Sequence, residues 1–134
     1  MVLTGSWTRT ARWLLVAAWM LVIFALSSLP GSDIPGSVVD YSPVAHFTEY
    51  AALAGLLVFA AAPARMAART AVLLLVACSL YGISDEFHQS FVPGRTPDPV
   101  DWATDTAGAG VALAGIVIVR RRRDAGRAPA GRAL

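Results

Sequence analysis

YGISDEFHQSFVPGRTPDPVDWATDTAGAG, residues 81–110, decides how this chain is read, because it crowds Asp85, Glu86, His88, Gln89, Arg95, Asp98, Asp101 and Asp105 between two apolar runs. Its middle, Val92 to Pro97, carries two prolines and a glycine. Those residues supply turn angles and stop a helix, so the stretch reads as the end of one helix, a tight turn and the start of another. Charged groups at the centre of a bilayer cost about 2.5–3.5 kcal/mol each on insertion scales, and ionisable residues beside membrane-length apolar runs therefore mark a functional site by default.

The composition around this stretch is that of an integral membrane protein. Hydrophobic residues make up 56% and charged residues 15% of 134 residues, with a mean hydropathy of +0.58, so one small membrane domain is expected rather than a soluble one. Cys78 is the single cysteine, which excludes a disulfide within the chain. No glycine-rich phosphate loop, nucleophile motif or basic-aromatic patch is present, and no nucleic-acid partner is expected.

Four apolar runs predict an all-α bundle of four transmembrane helices over residues 13–119. A short N-terminal segment, 1–12, precedes it, and a basic tail over 120–134 has the composition of disorder. The first run, Trp13 to Leu29, is followed by Pro30-Gly31 and an exposed connection to Ser42. A cleaved signal peptide is the competing reading, since Arg9 and Arg12 precede the run and Ala25-Leu26-Ser27 has small-x-small character. The run is longer than an ordinary signal core, which favours a retained helix. The second run spans Pro43 to Ala62, and the third spans Thr70 to Ser84 with an extension through Phe91. The fourth begins with Asp98 as cap and Pro99 in the first turn, and ends at Val119.

Arginine is distributed unevenly. Arg9, Arg12, Arg65, Arg69, Arg120 to Arg123, Arg127 and Arg132 fall at one end of such a bundle, with Arg95 alone among the basic residues at the other. The excess of arginine in short flanks places the first end, and both termini, in the cytoplasm of a multi-pass cell-membrane protein. Eight of the nine acidic residues then lie toward the outer half.

Helical spacing gathers the polar residues further. His46, Glu49 and Tyr50 stand at i, i+3 and i+4, as do Asp85, His88 and Gln89, while Asp98, Asp101 and Asp105 stand at i, i+3 and i+7. Asp105 should lie about 10 Å deeper than Asp98. Three elements thus aim polar faces at one level. His46, Glu49, Asp85 and His88 are donor types for a divalent metal such as zinc or manganese, although no dedicated motif holds them. His46, Glu49, Asp85, His88 and Asp101 equally suit general acid or base work. Binding without chemistry is the third option, with Arg95 gripping a phosphate or carboxylate while Gln89 and the aspartates, Asp101 and Asp105 among them, bond to sugar or amide groups. Arg95 could instead pair with Glu86 or Asp98. A transporter is disfavoured, because only Asp105 approaches the depth at which ion pathways place their charges. The Thr104, Gly108, Ala112 stripe could admit a neighbouring helix closely.

Three ordered motifs, H46-F-T-E-Y-A-A-L-A-G-L, S84-D-E-F-H-Q-S-F-V-P-G-R95 and D101-W-A-T-D105-T-A-G108, resemble the VanZ-like family of small membrane proteins over about residues 42–115. The matching positions are His46, Phe47, Tyr50, Glu86, Gln89, Arg95, Asp101 and Gly108. Two departures stand out: Ser42-Pro43 replaces a common Asp-Lys, and Asp105 occupies a position often taken by Asn. The resemblance implies an envelope role, since the family is named for a member associated with resistance to the lipoglycopeptide teicoplanin. Membrane lipids, and a lipid-linked envelope component or a lipoglycopeptide, are the partners it suggests. A membrane-embedded, metal-dependent hydrolase or transferase acting on a lipid-linked substrate is the alternative.

Overall fold

The computed structural model describes residues 7–33 and 42–126. These form α1 (Arg9–Ser27), a short 3-10 turn (Gly31–Asp33), α2 (Ser42–Ala61), α3 (Ala68–Gln89) and α4 (Pro99–Gly126). Among the described residues there is no strand, and all four α-helices are long and apolar enough to cross a membrane. The shortest spans, at 19 residues, reach about 28 Å at 1.5 Å per residue, close to the thickness of the hydrocarbon core. The protein is an all-α polytopic membrane protein.

Each boundary has a local cause. The Thr8 hydroxyl accepts from the Ala11 N–H at 3.2 Å, so α1 starts four residues ahead of the expected Trp13. Pro43 sits in the first turn of α2, where its missing N–H costs nothing. Ala62 leaves that helix with φ at 40°. The third helix stops at Gln89, short of the expected Phe91, because Phe91 and Val92 donate to His88 and Gln89 in a tightening turn. Asp98 caps α4 as its sequence suggests, its carboxylate accepting from the Val100 N–H at 2.8 Å.

The largest departure is at the C-terminal end. The helix does not yield to a tail at Arg120 but carries Arg120 to Arg123 in regular α-structure as far as Gly126. No glycine or proline interrupts residues 120–125, arginine is a good helix former, and cations suit the negative end of a helix dipole. The rest of the expected tail, residues 127–134, and residues 34–41 of the α1–α2 connection lie outside the described residues, as do residues 1–6.

Packing is centred on α2, whose Tyr50, Leu53, Ala54, Val58 and Ala60 are buried. It lies closest to α4, where a Cβ on Gly108 would run into the Phe47 carbonyl. Only glycine lets the two backbones meet there. This spends Gly108 on contact within the chain. The Trp19 indole donates to the Glu49 carbonyl at 2.9 Å and the Tyr81 hydroxyl to the Met20 carbonyl at 2.7 Å, tying α1 to both neighbours. Leu14, Leu21, Leu73, Leu80, Phe87 and Val111 remain exposed, which is the expected finish for a surface solvated by lipid.

Candidate functional site: a histidine between two aspartates

The polar residues of α2, α3 and α4 meet at the end of the bundle opposite the arginine run. His46 is at the centre. Its Nδ1 lies 2.9 Å from Asp105 Oδ1 and its Nε2 lies 3.6 Å from Asp101 Oδ2. A carboxylate only accepts, so Nδ1 carries the hydrogen in the shorter contact and Nε2 is left facing Asp101. The two aspartates are one helical turn apart on α4, which is why both reach one ring. Asp105 is fully buried, and the Asp101 side chain keeps 22% of its exposure. The deeper carboxylate holds the ring while the shallower one stays open to the surface.

A second polar group sits on α3. Asp85 is buried, and both its oxygens are filled: Ser27 Oγ donates to Oδ1 at 2.6 Å and Gln89 Nε2 to Oδ2 at 3.1 Å. Ser27 comes from the last turn of α1, which had signalled nothing beyond a small residue in a cleavage-like pattern. Its neighbour Ser28 lies 2.9 Å from His88 Nε2, and the His88 ring stacks on Phe24 with centroids 4.3 Å apart. Ser27 and the C-cap Ser28 thus bond to two of the candidate site residues. Their position at the same level as Asp85 and His88 is the signal that could have identified them.

The remaining candidates surround these two groups. Glu49, half-buried, is within electrostatic reach of His46, Asp105, Asp85 and Arg95. Glu86 Oε2 accepts the Asp98 backbone N–H at 2.7 Å, which fixes the start of α4 to the end of α3. Arg95 forms no ion pair with Glu86 or Asp98; among the described residues the ion pairs within 4.0 Å are those of His46. The turn carrying Arg95 is pinned to the α1–α2 connection, since the Gly31 N–H donates to the Pro93 carbonyl at 3.1 Å. Gly31 also lies so close to the Gly94 carbonyl that a Cβ there would collide with it, and Gly94 needs its φ of 73°.

Four polar atoms in this region are buried and have no partner: the Tyr50 hydroxyl, Asp105 Oδ2, Glu86 Oε1 and Arg95 Nε. Gly82 of α3 faces the second of these, and an added Cβ would stand 3.2 Å from it. Buried polar groups ordinarily find partners, so these four atoms are the unused hydrogen-bonding capacity of the site.

The donor types for a divalent metal are not assembled as one set. Asp105 and Asp101 address opposite nitrogens of His46, Asp85 is filled by Ser27 and Gln89, and His88 turns toward Ser28 and Phe24. Among the described residues no three His, Cys, Asp or Glu side chains are grouped to hold one ion.

No curated protein and no solved structure matches the chain. The model of the VanZ/LLP1 family does, over residues 12–120. That span reaches all four helices and covers each motif from His46 to Gly108, and the chain belongs to the VanZ/LLP1 family.

Proposed function

We propose that the acidic end of the bundle faces outward from the cell membrane and binds a polar, lipid-linked envelope component, in lipoglycopeptide (teicoplanin-type) resistance or envelope homeostasis. The observation that carries this reading is the set of unpaired buried atoms around His46. Tyr50 and Arg95 offer two donors, and Asp105 and Glu86 offer two acceptors. Hydroxyl and amide groups, the functional groups of glycans and peptides, present both kinds of partner at once. Arg95 adds a fixed cation suited to a phosphate or carboxylate. The arginine-rich opposite end supports this orientation, which would put the termini in the cytoplasm.

A second reading is favoured by one contact. With Asp105 holding Nδ1, the Nε2 of His46 is free to take or give a proton beside the partly exposed Asp101, the arrangement that orients a general base. On this reading the protein is a hydrolase or transferase of the same lipid-linked component, with His46 as base, Asp105 as its positioning residue and Asp101 at the substrate.

Susceptibility to teicoplanin and vancomycin in a sensitive host tests both, comparing the intact chain with His46→Ala, Arg95→Ala and Asp101→Ala at matched membrane expression. Protection confined to the lipid-tailed drug and lost in all three variants is expected. Unchanged protection in the Arg95→Ala, Asp101→Ala double variant would overturn the binding reading. A change in envelope lipid composition that disappears with His46→Ala alone would favour the enzymatic one.

A further inference from the structure

At the opposite, arginine-rich end the flank of the bundle has an open furrow between α3 and α4. Its volume is about 330 Å³, and its walls include Ala71, Val72 and Leu75 of α3 and Gly110, Ala114 and Val117 of α4. The walls are apolar, and the furrow stays open because alanine and glycine on the two helices leave the space between them unfilled. Gly110 has only the Leu75 side chain nearby, at 3.8 Å from where its Cβ would be.

The furrow has a charged mouth. On α4 the lining stripe of Gly110, Ala114 and Val117 continues at the next i+4 step to Arg121, and on α3 Arg69 stands one turn before Val72 on the same face. Both arginines are exposed. Their neighbour Arg120 is already engaged, donating to the Pro63 carbonyl at 3.1 Å. The α3 helix begins here without a side-chain cap, leaving its first N–H groups open to an acceptor. An apolar slot at hydrocarbon depth that leads up to two free guanidinium groups at headgroup depth matches a molecule with an acyl chain and an anionic head.

We propose that this furrow holds one acyl chain of an anionic phospholipid whose phosphate rests on Arg69 and Arg121. A second copy of the chain is the less favourable occupant. Two copies inserted in the same orientation and packed through this face would bring Arg69 and Arg121 of each to one level, like charge against like. The site is separate from the acidic end and stands whether or not the outer-face reading holds.

Native mass spectrometry of the full chain, released from detergent with phosphatidylglycerol or phosphatidylcholine, tests this. One phosphatidylglycerol per protein should be retained, and phosphatidylcholine should not. Arg69→Gln and Arg121→Gln should each weaken retention about fivefold, the contribution of one basic residue at an anionic surface. Arg123→Gln removes the same charge from the opposite face of α4 and should leave retention unchanged. Ala114→Phe, at an exposed lining position, should displace the lipid by filling the slot while circular dichroism shows the helices intact. Equal retention of the two lipids would overturn the site. So would equal losses in Arg121→Gln and Arg123→Gln, or a dimer that Ala114→Phe disrupts.

Discussion

Asp105 holds His46 Nδ1 at 2.9 Å through one carboxylate oxygen and keeps the other buried without a partner. The pair joins α4 to α2 at the centre of the polar end, so it is both a structural tie and the feature that orients the imidazole. Asp105→Asn preserves a carbonyl oxygen for the Nδ1 hydrogen, whereas Asp105→Ala leaves that N–H unpaired in a buried position. The alanine variant should be less stable by about 1–3 kcal/mol, and the asparagine variant should stay closer to the parent. Thermal unfolding in detergent, followed by circular dichroism, distinguishes them; equal melting temperatures for the two variants would remove the structural role.

The contact between Gly108 and the Phe47 carbonyl sets how closely α2 and α4 approach, and the spacing of His46 from Asp101 and Asp105 depends on it. Gly108→Ala should cost about 1–3 kcal/mol, as overpacking of a close contact does, and should weaken function by pulling the aspartates away from the ring. Gly115, with nothing within 4 Å of an added Cβ, is the matched control on the same helix. Gly115→Ala should be neutral or stabilise by up to about 1 kcal/mol. Melting curves of the two variants side by side make the comparison, and a Gly108→Ala protein as stable as Gly115→Ala would contradict the close approach.

Ser27 bonds to Asp85 from the end of a helix whose sequence from Trp13 to Leu26 is apolar throughout. Ser27→Ala would leave Asp85 Oδ1, which now accepts at 2.6 Å, without its buried donor, and should cost about 1–3 kcal/mol. Ser28→Ala affects a half-buried contact to His88, where solvent or headgroups can substitute, and should cost less. Reversal of that order in unfolding experiments would show that Asp85 does not depend on α1.

The four spans and the level at which their polar faces meet were legible because both are local properties. Apolar run length sets a helix against a bilayer, and i, i+3, i+4 spacing sets which side chains share a face. The i+4 step from Asp101 to Asp105 is enough to foresee two carboxylates converging on a neighbour. That the neighbour would be His46, one nitrogen to each, depends on which backbone meets Gly108: the small-residue stripe signals a close approach, but nothing in the distant Phe47 segment marks it as the partner. The departure of His88 has the same origin. Spacing puts it beside Asp85 and Gln89, but Phe24 of α1 and Ser28 just after it draw the ring to another helix. The helical arginine run was obscured by the Gly, Ala and Pro that follow it, whose composition says nothing about residues 120–126.

Orientation in the membrane is the remaining hinge between geometry and envelope function, and it can be measured directly. The four helices bring Arg69 and Arg120 to Arg123 to one end and His46, Asp85 and Asp101 to the other. Excess arginine holds a flank in the cytoplasm through its attraction to that side of the membrane. Cys78 is buried, and replacing it with alanine gives a background for single cysteines. Ser90, exposed in the turn after α3, and Arg123, exposed near the end of α4, report on the two ends. In intact cells a membrane-impermeant maleimide should label Ser90→Cys and spare Arg123→Cys, and permeabilisation should expose the second. The inverse pattern would place the His46 site in the cytoplasm. The bundle and the His46–Asp105 pair would stand, but a lipid-linked component of the outer surface could not be the ligand, and an inner-leaflet substrate would have to take its place.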